Sequence, residues 1–120
     1  MTNTQTILVF VYGSLRRGEE FHGPLIGAES LGAHLTAPVY EMWDLDGYPA
    51  ITPGGSTTIH GELYRVDAQT LAALDELEEV PTLYQREEIP TDHGPAHVYI
   101  VREPPCARVQ VPSGLWPRQA

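Results

Sequence analysis

Apolar and polar positions along the chain fall into several short blocks. Ile7 to Tyr12 is a continuous apolar run with β-branched and aromatic members, which predicts a strand buried on both faces. Gly13 breaks it. Glu19 to Ala28 can form a short helix, interrupted by Gly23-Pro24. From Glu29 to Thr52 the pattern is strand-like with turns; Val39 to Trp43 is one strand candidate and Asp46-Gly47 marks a turn. Pro53-Gly54-Gly55-Ser56 reads as a loop, and Thr58 to Val66 alternates with period two as a strand does. Asp67 suits a helix N-cap, since its side chain can accept from the unpaired amides of a first turn. The helix it opens is expected to run to about Glu79, with Pro81 at its end. Leu83 to Ile89 and Ala96 to Arg102 read as two more strands joined through Asp92-His93-Gly94-Pro95. Pro104, Pro105 and Pro112 predict an irregular tail closed by Trp116. With strands outnumbering helices, the pattern predicts one α+β domain over residues 1–120, built as a curved sheet or small mixed barrel.

The helix from Asp67 contains one residue out of place. At about 100° per residue, with Leu71 at zero, Leu74 falls at about 300° and Leu77 at about 240°, which defines an apolar stripe. Glu78 falls at about 340°, between Leu71 and Leu74, whereas Asp75, Glu76 and Glu79 fall at about 40°, 140° and 80°, at its edge or beyond. Those three are explained as solvated surface; Glu78 is not. A carboxylate facing a core is costly unless paired, hydrogen-bonded or protonated, and desolvation raises its pKa toward neutrality, as a general acid/base requires. Two plainer readings stand beside this one: a frayed last turn that lets Glu78 reach water, or a salt bridge to Arg86.

The turn after the first strand is the second candidate. Glycine lets a backbone take unusual conformations and lets a ligand come close, and successive amides in Tyr12-Gly13-Ser14-Leu15 can form an anion-binding nest. Ser14 adds a hydroxyl, and Arg16 and Arg17 add positive potential. The same four residues also suit an ordinary tight turn, and the spacing to Gly18 does not fit a dinucleotide fingerprint.

Composition narrows the function classes. The chain has 120 residues, 42% of them apolar, and a net charge of −9. Such acidity argues against nucleic acid and anionic membrane surfaces as partners, because both are held through Lys and Arg. The longest apolar run is far short of the ~20 residues of a membrane span, and no charged-then-apolar leader is visible, so a cytoplasmic location is expected. All seven basic residues are arginines, which removes Schiff-base chemistry on lysine and the lysine of a phosphate-binding loop. Cys106 is the only cysteine; it excludes an intrachain disulfide and a thiolate-rich metal cluster, and its setting among prolines is poor for a nucleophile.

The remaining candidates are weaker. His93 and His97 are four apart, but Gly94-Pro95 between them rules out a helical metal face. His22 stands near the glycine turn, either lining a cavity or on a helix surface. Ser14 as a nucleophile lacks an identifiable base. Tyr84 and Arg86 follow the helix and either hold Glu78 and line a pocket or serve packing and a surface ion pair. Trp43 and Trp116 read as packing residues.

Several of these segments together resemble the γ-glutamyl cyclotransferase-like family, which includes γ-glutamylamine cyclotransferases and the plant avirulence-induced-like proteins. Val9 to Gly18 is similar to the family's opening signature and Gly47-Tyr48-Pro49-Ala50 to its central turn. His60 to Asp67 is similar to the strand leading into the catalytic helix. Leu74 to Glu78, with Pro81, Tyr84 and Arg86, is similar to the acid/base segment, and Val111 to Trp116 to the closing stretch. Leu115 departs from the pattern, standing where relatives often carry an acidic residue. The chain is also short, so loops that shape the leaving-group side in longer relatives can be missing.

The resemblance implies a small mixed β-barrel with flanking helices and a ligand cavity at its mouth. It implies that Tyr12, Gly13, Ser14 and Leu15 bind the glutamyl moiety of a small-molecule substrate and that Glu78 is the catalytic acid/base, with Tyr84 and Arg86 as pocket residues. The implied reaction is attack of a γ-glutamyl α-amine on its own γ-carbonyl, releasing 5-oxoproline and a free amine with no metal or other cofactor. The competing expectation is a binding module that holds a carboxylated metabolite in the same cavity without turnover. The sequence names neither the leaving amine nor the oligomeric state.

Overall fold

The computed structural model describes residues 7–13, 28–45, 49–80, 82–102 and 109–116. These form a mixed α+β fold of eight strands and one helix: β1 (Ile7–Val11), β2 (Glu29–Leu35), β3 (Tyr40–Asp44), β4 (Pro49–Pro53), β5 (His60–Val66), α1 (Ala68–Leu77), β6 (Gln85–Ile89), β7 (Ala96–Ile100) and β8 (Val109–Gln110). The apolar run at the N-terminal side becomes β1, the middle strand of a five-stranded sheet ordered β2-β5-β1-β7-β6. It pairs antiparallel with β5 and parallel with β7. Both of its faces are covered, as a run without polar alternation requires: Leu8, Phe10 and Tyr12 join one core and Val9 and Val11 the other.

The expected barrel is corrected by the sheet topology. Strands β4, β3 and β8 pair among themselves as a separate three-stranded sheet, and among the described residues no strand ladder closes the two sheets into one barrel. They meet along a seam at which the Val101 amide, just past β7, donates to the Ile51 carbonyl of β4 at 2.9 Å. The smaller sheet sends Met42 and Ile51 into the Phe10 core. β8 is too short to extend the ladder, with only Val109 and Gln110 paired to β3. Of the expected flanking helices, α1 is the one among the described residues; the segment 19–28 lies largely outside them.

Local sequence accounts for the elements next to the site. The Asp67 carboxylate accepts from the Thr70 amide at 2.8 Å and caps α1, removing one of the unpaired donors of the first turn. Leu74 is fully buried on the Val9–Val11 face, among Tyr64, Tyr84 and Tyr99, with Leu71 packed at the edge. The helix therefore lies across the Val9–Val11 face of the larger sheet, and the smaller sheet contributes to both cores, Met42 and Ile51 to one and Trp43 and Ala50 to the other. β6 and β7 form the expected hairpin, closed by reciprocal backbone bonds between Thr91 and Gly94.

Candidate active site

The buried stripe of α1 differs from the leucine pattern. Leu77 is 36% exposed, while Leu71, Leu74, Asp75 and Glu78 face inward to differing degrees. The inner face is centred near Glu78 rather than on the three leucines, and Leu77, the last residue of the helix, is left exposed. Asp75 is corrected accordingly: it is half-buried and accepts from the Tyr99 hydroxyl at 2.8 Å. Arg86 pairs with Asp75 and not with Glu78.

Glu78 is the C-cap residue of α1. Its amide still donates to the Leu74 carbonyl at 2.9 Å, so the last turn is formed and not frayed. The side chain is partly buried, and among the described residues its carboxylate has no hydrogen-bond or ion-pair partner. Burial first, and then the like charge of Glu79, push the carboxyl up from 4.5 to about 7. An acid so placed is half-ionised near neutrality, where it can both take and return a proton.

Tyr12 and Tyr99 lie within reach of this acid's charge, and Tyr84 lies near Tyr12. The Tyr12 hydroxyl donates to the Tyr99 carbonyl at 2.7 Å, and the Tyr84 hydroxyl donates to the Pro49 carbonyl at 2.5 Å. The Tyr99 hydroxyl is held by Asp75. Burial is the main cause that raises the Tyr12 hydroxyl well above its ordinary range, followed by Tyr84 and then Glu78, while the Ile51 backbone opposes them. The Tyr99 hydroxyl is also raised, by burial and then by its bond to Asp75, with a smaller contribution from Glu78. Both phenols therefore remain protonated donors close to the Glu78 charge.

Tyr12 and Gly13 leave β1 at the same end of the sheet. Gly13 is buried, and a side chain there would collide with the Pro49 ring, so glycine is required by close approach. Pro49 in turn is held through its carbonyl by Tyr84, which ties the first-strand turn to the segment after the helix. The structure thus brings together Tyr12, Gly13, Tyr84 and Glu78, with Arg86 one step removed through Asp75. Ser14 and Leu15, like Arg16, Arg17, His22 and Cys106, lie outside the described residues.

A family model described as gamma-glutamyl cyclotransferase, AIG2-like, matches residues 9–118. The chain belongs to that family. It is 45% identical over 109 residues to a putative gamma-glutamylcyclotransferase of Vibrio cholerae, covering 91% of this chain and 94% of that protein. Among solved structures, it is similar to the ytfP protein of Escherichia coli, with a TM-score of 0.77 at 36% identity over 92% of this chain and 96% of that one. An uncharacterized protein of Pyrococcus horikoshii gives a TM-score of 0.80 at 28% identity, covering 92% and 90% of the two chains. The fold is therefore shared with these two structures along most of this chain's length.

Sequence reasoning missed Tyr99 and Asp75, and marked Pro49 only as part of a central turn. Asp75 had a signal, since its phase of about 40° already lies within a stripe centred on Glu78. Tyr99 had none, and the bond from Tyr84 to the Pro49 carbonyl is a contact distant in sequence. Trp43 and Trp116 are packing residues, as expected. Trp116 is buried beside Phe10, and Trp43 donates from Nε1 to Thr52 Oγ1 at 2.9 Å. His93 and His97 are parted by the β6–β7 turn and the start of β7. No helix among the described residues is long and apolar enough to cross a membrane.

Proposed function

We propose that the protein is a γ-glutamyl cyclotransferase acting on a small-molecule substrate, with Glu78 as its acid/base. The observation that carries the proposal is the desolvated Glu78 carboxyl near Tyr12, without a hydrogen-bond or ion-pair partner among the described residues and raised to about 7. Family membership supports the reaction class, and the position of Glu78 supports the residue.

The reaction is an intramolecular acyl transfer. The α-amine of the glutamyl group attacks its γ-carbonyl, forming a five-membered ring. Glu78 takes the proton that the attacking nitrogen releases. The tetrahedral intermediate then collapses, the bond from the γ-carbon to the departing nitrogen breaks, and Glu78 returns the proton to that nitrogen. The products are 5-oxoproline and a free amine, and Glu78 ends as it began. One carboxylate closes the proton balance, so the steps call for no cofactor.

The Tyr12 to Leu15 turn is assigned the glutamyl end of the substrate, through backbone amides and the Ser14 hydroxyl. Holding that end fixes amine and carbonyl at close range, an entropic advantage over free solution. Tyr84 keeps the turn in place through Pro49, and the Asp75–Arg86 pair supports the helix end that carries Glu78.

A panel of γ-glutamyl amines and γ-glutamyl peptides, assayed for 5-oxoproline by mass spectrometry, tests the proposal. Release from at least one member at enzyme-like rates is the expected result. Ligand-induced thermal stabilisation with no release from any member would instead make the site a binding module.

A further inference from the structure

Glu79, the residue after the proposed acid/base, has φ of 55°. It is the one non-glycine residue with positive φ among the described residues. Glycine is the usual occupant of this position, because a Cβ there crowds the backbone. Three backbone bonds hold Glu79 in place. Its amide donates to the Glu76 carbonyl at 3.1 Å, the Val80 amide donates to the Asp75 carbonyl at 3.0 Å, and the Glu79 carbonyl accepts from the Leu83 amide at 2.8 Å. The first two are the paired bonds of a Schellman helix end. The third links that end to the segment carrying Tyr84. A side chain kept in this strained conformation by surrounding bonds is a candidate for function rather than for stability.

We infer that Glu79 is a positioning residue for Glu78: its left-handed backbone ends the helix with Glu78 turned toward Tyr12 and Tyr99, and its exposed carboxylate stands as a negative charge beside that of Glu78. The inference rests on the role proposed for Glu78 and adds a second residue that sets its behaviour. Among the described residues, the other groups around Glu78 do not replace this charge. Tyr12 at the end of β1 and Tyr99 on β7 are neutral phenols, Tyr84 faces Tyr12, and on α1 Asp75 is engaged by Tyr99 and by Arg86 of β6. After burial, Glu79 is what raises the Glu78 carboxyl. An exposed glutamate can thus hold a half-buried one in its protonated range without entering the site.

Glu79→Gln removes the charge and keeps a side chain of the same size; Glu79→Gly removes both charge and strain. The Glu78 carboxyl resonance, identified in carbon-13 spectra by its loss in Glu78→Gln, is titrated in each full-length variant, and 5-oxoproline release is followed across the same pH range. The titration of Glu78 is expected to move to lower pH in both variants, with the acid limb of turnover moving alongside. The melting temperature of Glu79→Gly is expected to rise by about 2–5 °C as the strain is relieved. A Glu78 titration unchanged in both variants, or a Glu79→Gly protein no more stable than wild type, would overturn the inference. A titration that moves while the turnover profile stays still would support Glu79 as the tuning residue and count instead against Glu78 as the acid/base.

Discussion

Glu78→Gln is expected to lower 5-oxoproline formation by about 10²–10⁴-fold, the usual contribution of a positioned general acid/base, while the protein stays folded. Glutamine has nearly the shape of the protonated acid and can occupy the same half-buried site beside Tyr12 and Tyr99. It cannot accept a proton from the attacking amine. The neutral amide also leaves the Tyr12–Gly13 turn untouched, so KM is expected to change far less than kcat. An equal rise in KM with kcat preserved would mean that Glu78 binds substrate and does not transfer protons. Steady-state kinetics on whichever γ-glutamyl compound turns over best separates the two outcomes.

The same substitution is expected to stabilise the fold, in a pH-dependent way. The Glu78 carboxyl titrates at about 7 in the folded chain against an ordinary value of 4.5. Below 4.5 both folded and unfolded chains carry it protonated, and its burial has no ionisation cost. As pH rises toward 7 the unfolded chain ionises while the folded chain keeps its proton, so stability falls. Above 7 the full cost applies, and the gap between 4.5 and about 7 is worth about 3 kcal/mol. Glu78→Gln never ionises. Its advantage over wild type is therefore expected to be absent at pH 4, to grow through pH 5 to 7, and to reach about 3 kcal/mol, or roughly 10 °C in Tm, at pH 8. Denaturant melts of the two proteins at a series of pH values measure it. A wild type as stable as Glu78→Gln at pH 8 would mean that the carboxyl is solvated and not desolvated by the helix end. Loss of activity together with gain of stability is the trade expected where a functional group is held in an unfavourable place.

How much of this was legible in the sequence depends on the range of the forces involved. Asp67 was, because capping is local and needs only the next three residues. β1 was, because a six-residue apolar run at a sheet centre has little alternative. The odd phase of Glu78 was legible for the same reason as any helix face, but the stripe was centred on Leu71, Leu74 and Leu77, and the end of the helix exposes Leu77 instead. β2 lies within the stretch that reads as strand-like, but its residues are mostly exposed, with a register shift between Ser30 and Gly32, so hydrophobic alternation could not set its bounds. β4 begins and ends with a proline; prolines are tolerated at strand ends, yet in sequence they read as loop. The division into two sheets rests on pairings far apart along the chain, and no local pattern reports them. The left-handed Glu79 was invisible, since nothing in a glutamate signals a conformation that glycine normally supplies. The tie from Tyr84 through Pro49 to Gly13 likewise exists only once the fold has brought three separate segments together.

The central claim is that a desolvated Glu78 transfers the proton of the cyclisation. Its most direct test is the pH dependence of 5-oxoproline release by the wild-type protein, measured alongside the carbon-13 titration of the Glu78 carboxyl. The account predicts that kcat/KM rises through an acid limb centred at about 7 and that the Glu78 resonance titrates over the same interval. A Glu78 titration near the ordinary 4.5, with turnover unaffected between pH 5 and 7, would contradict it.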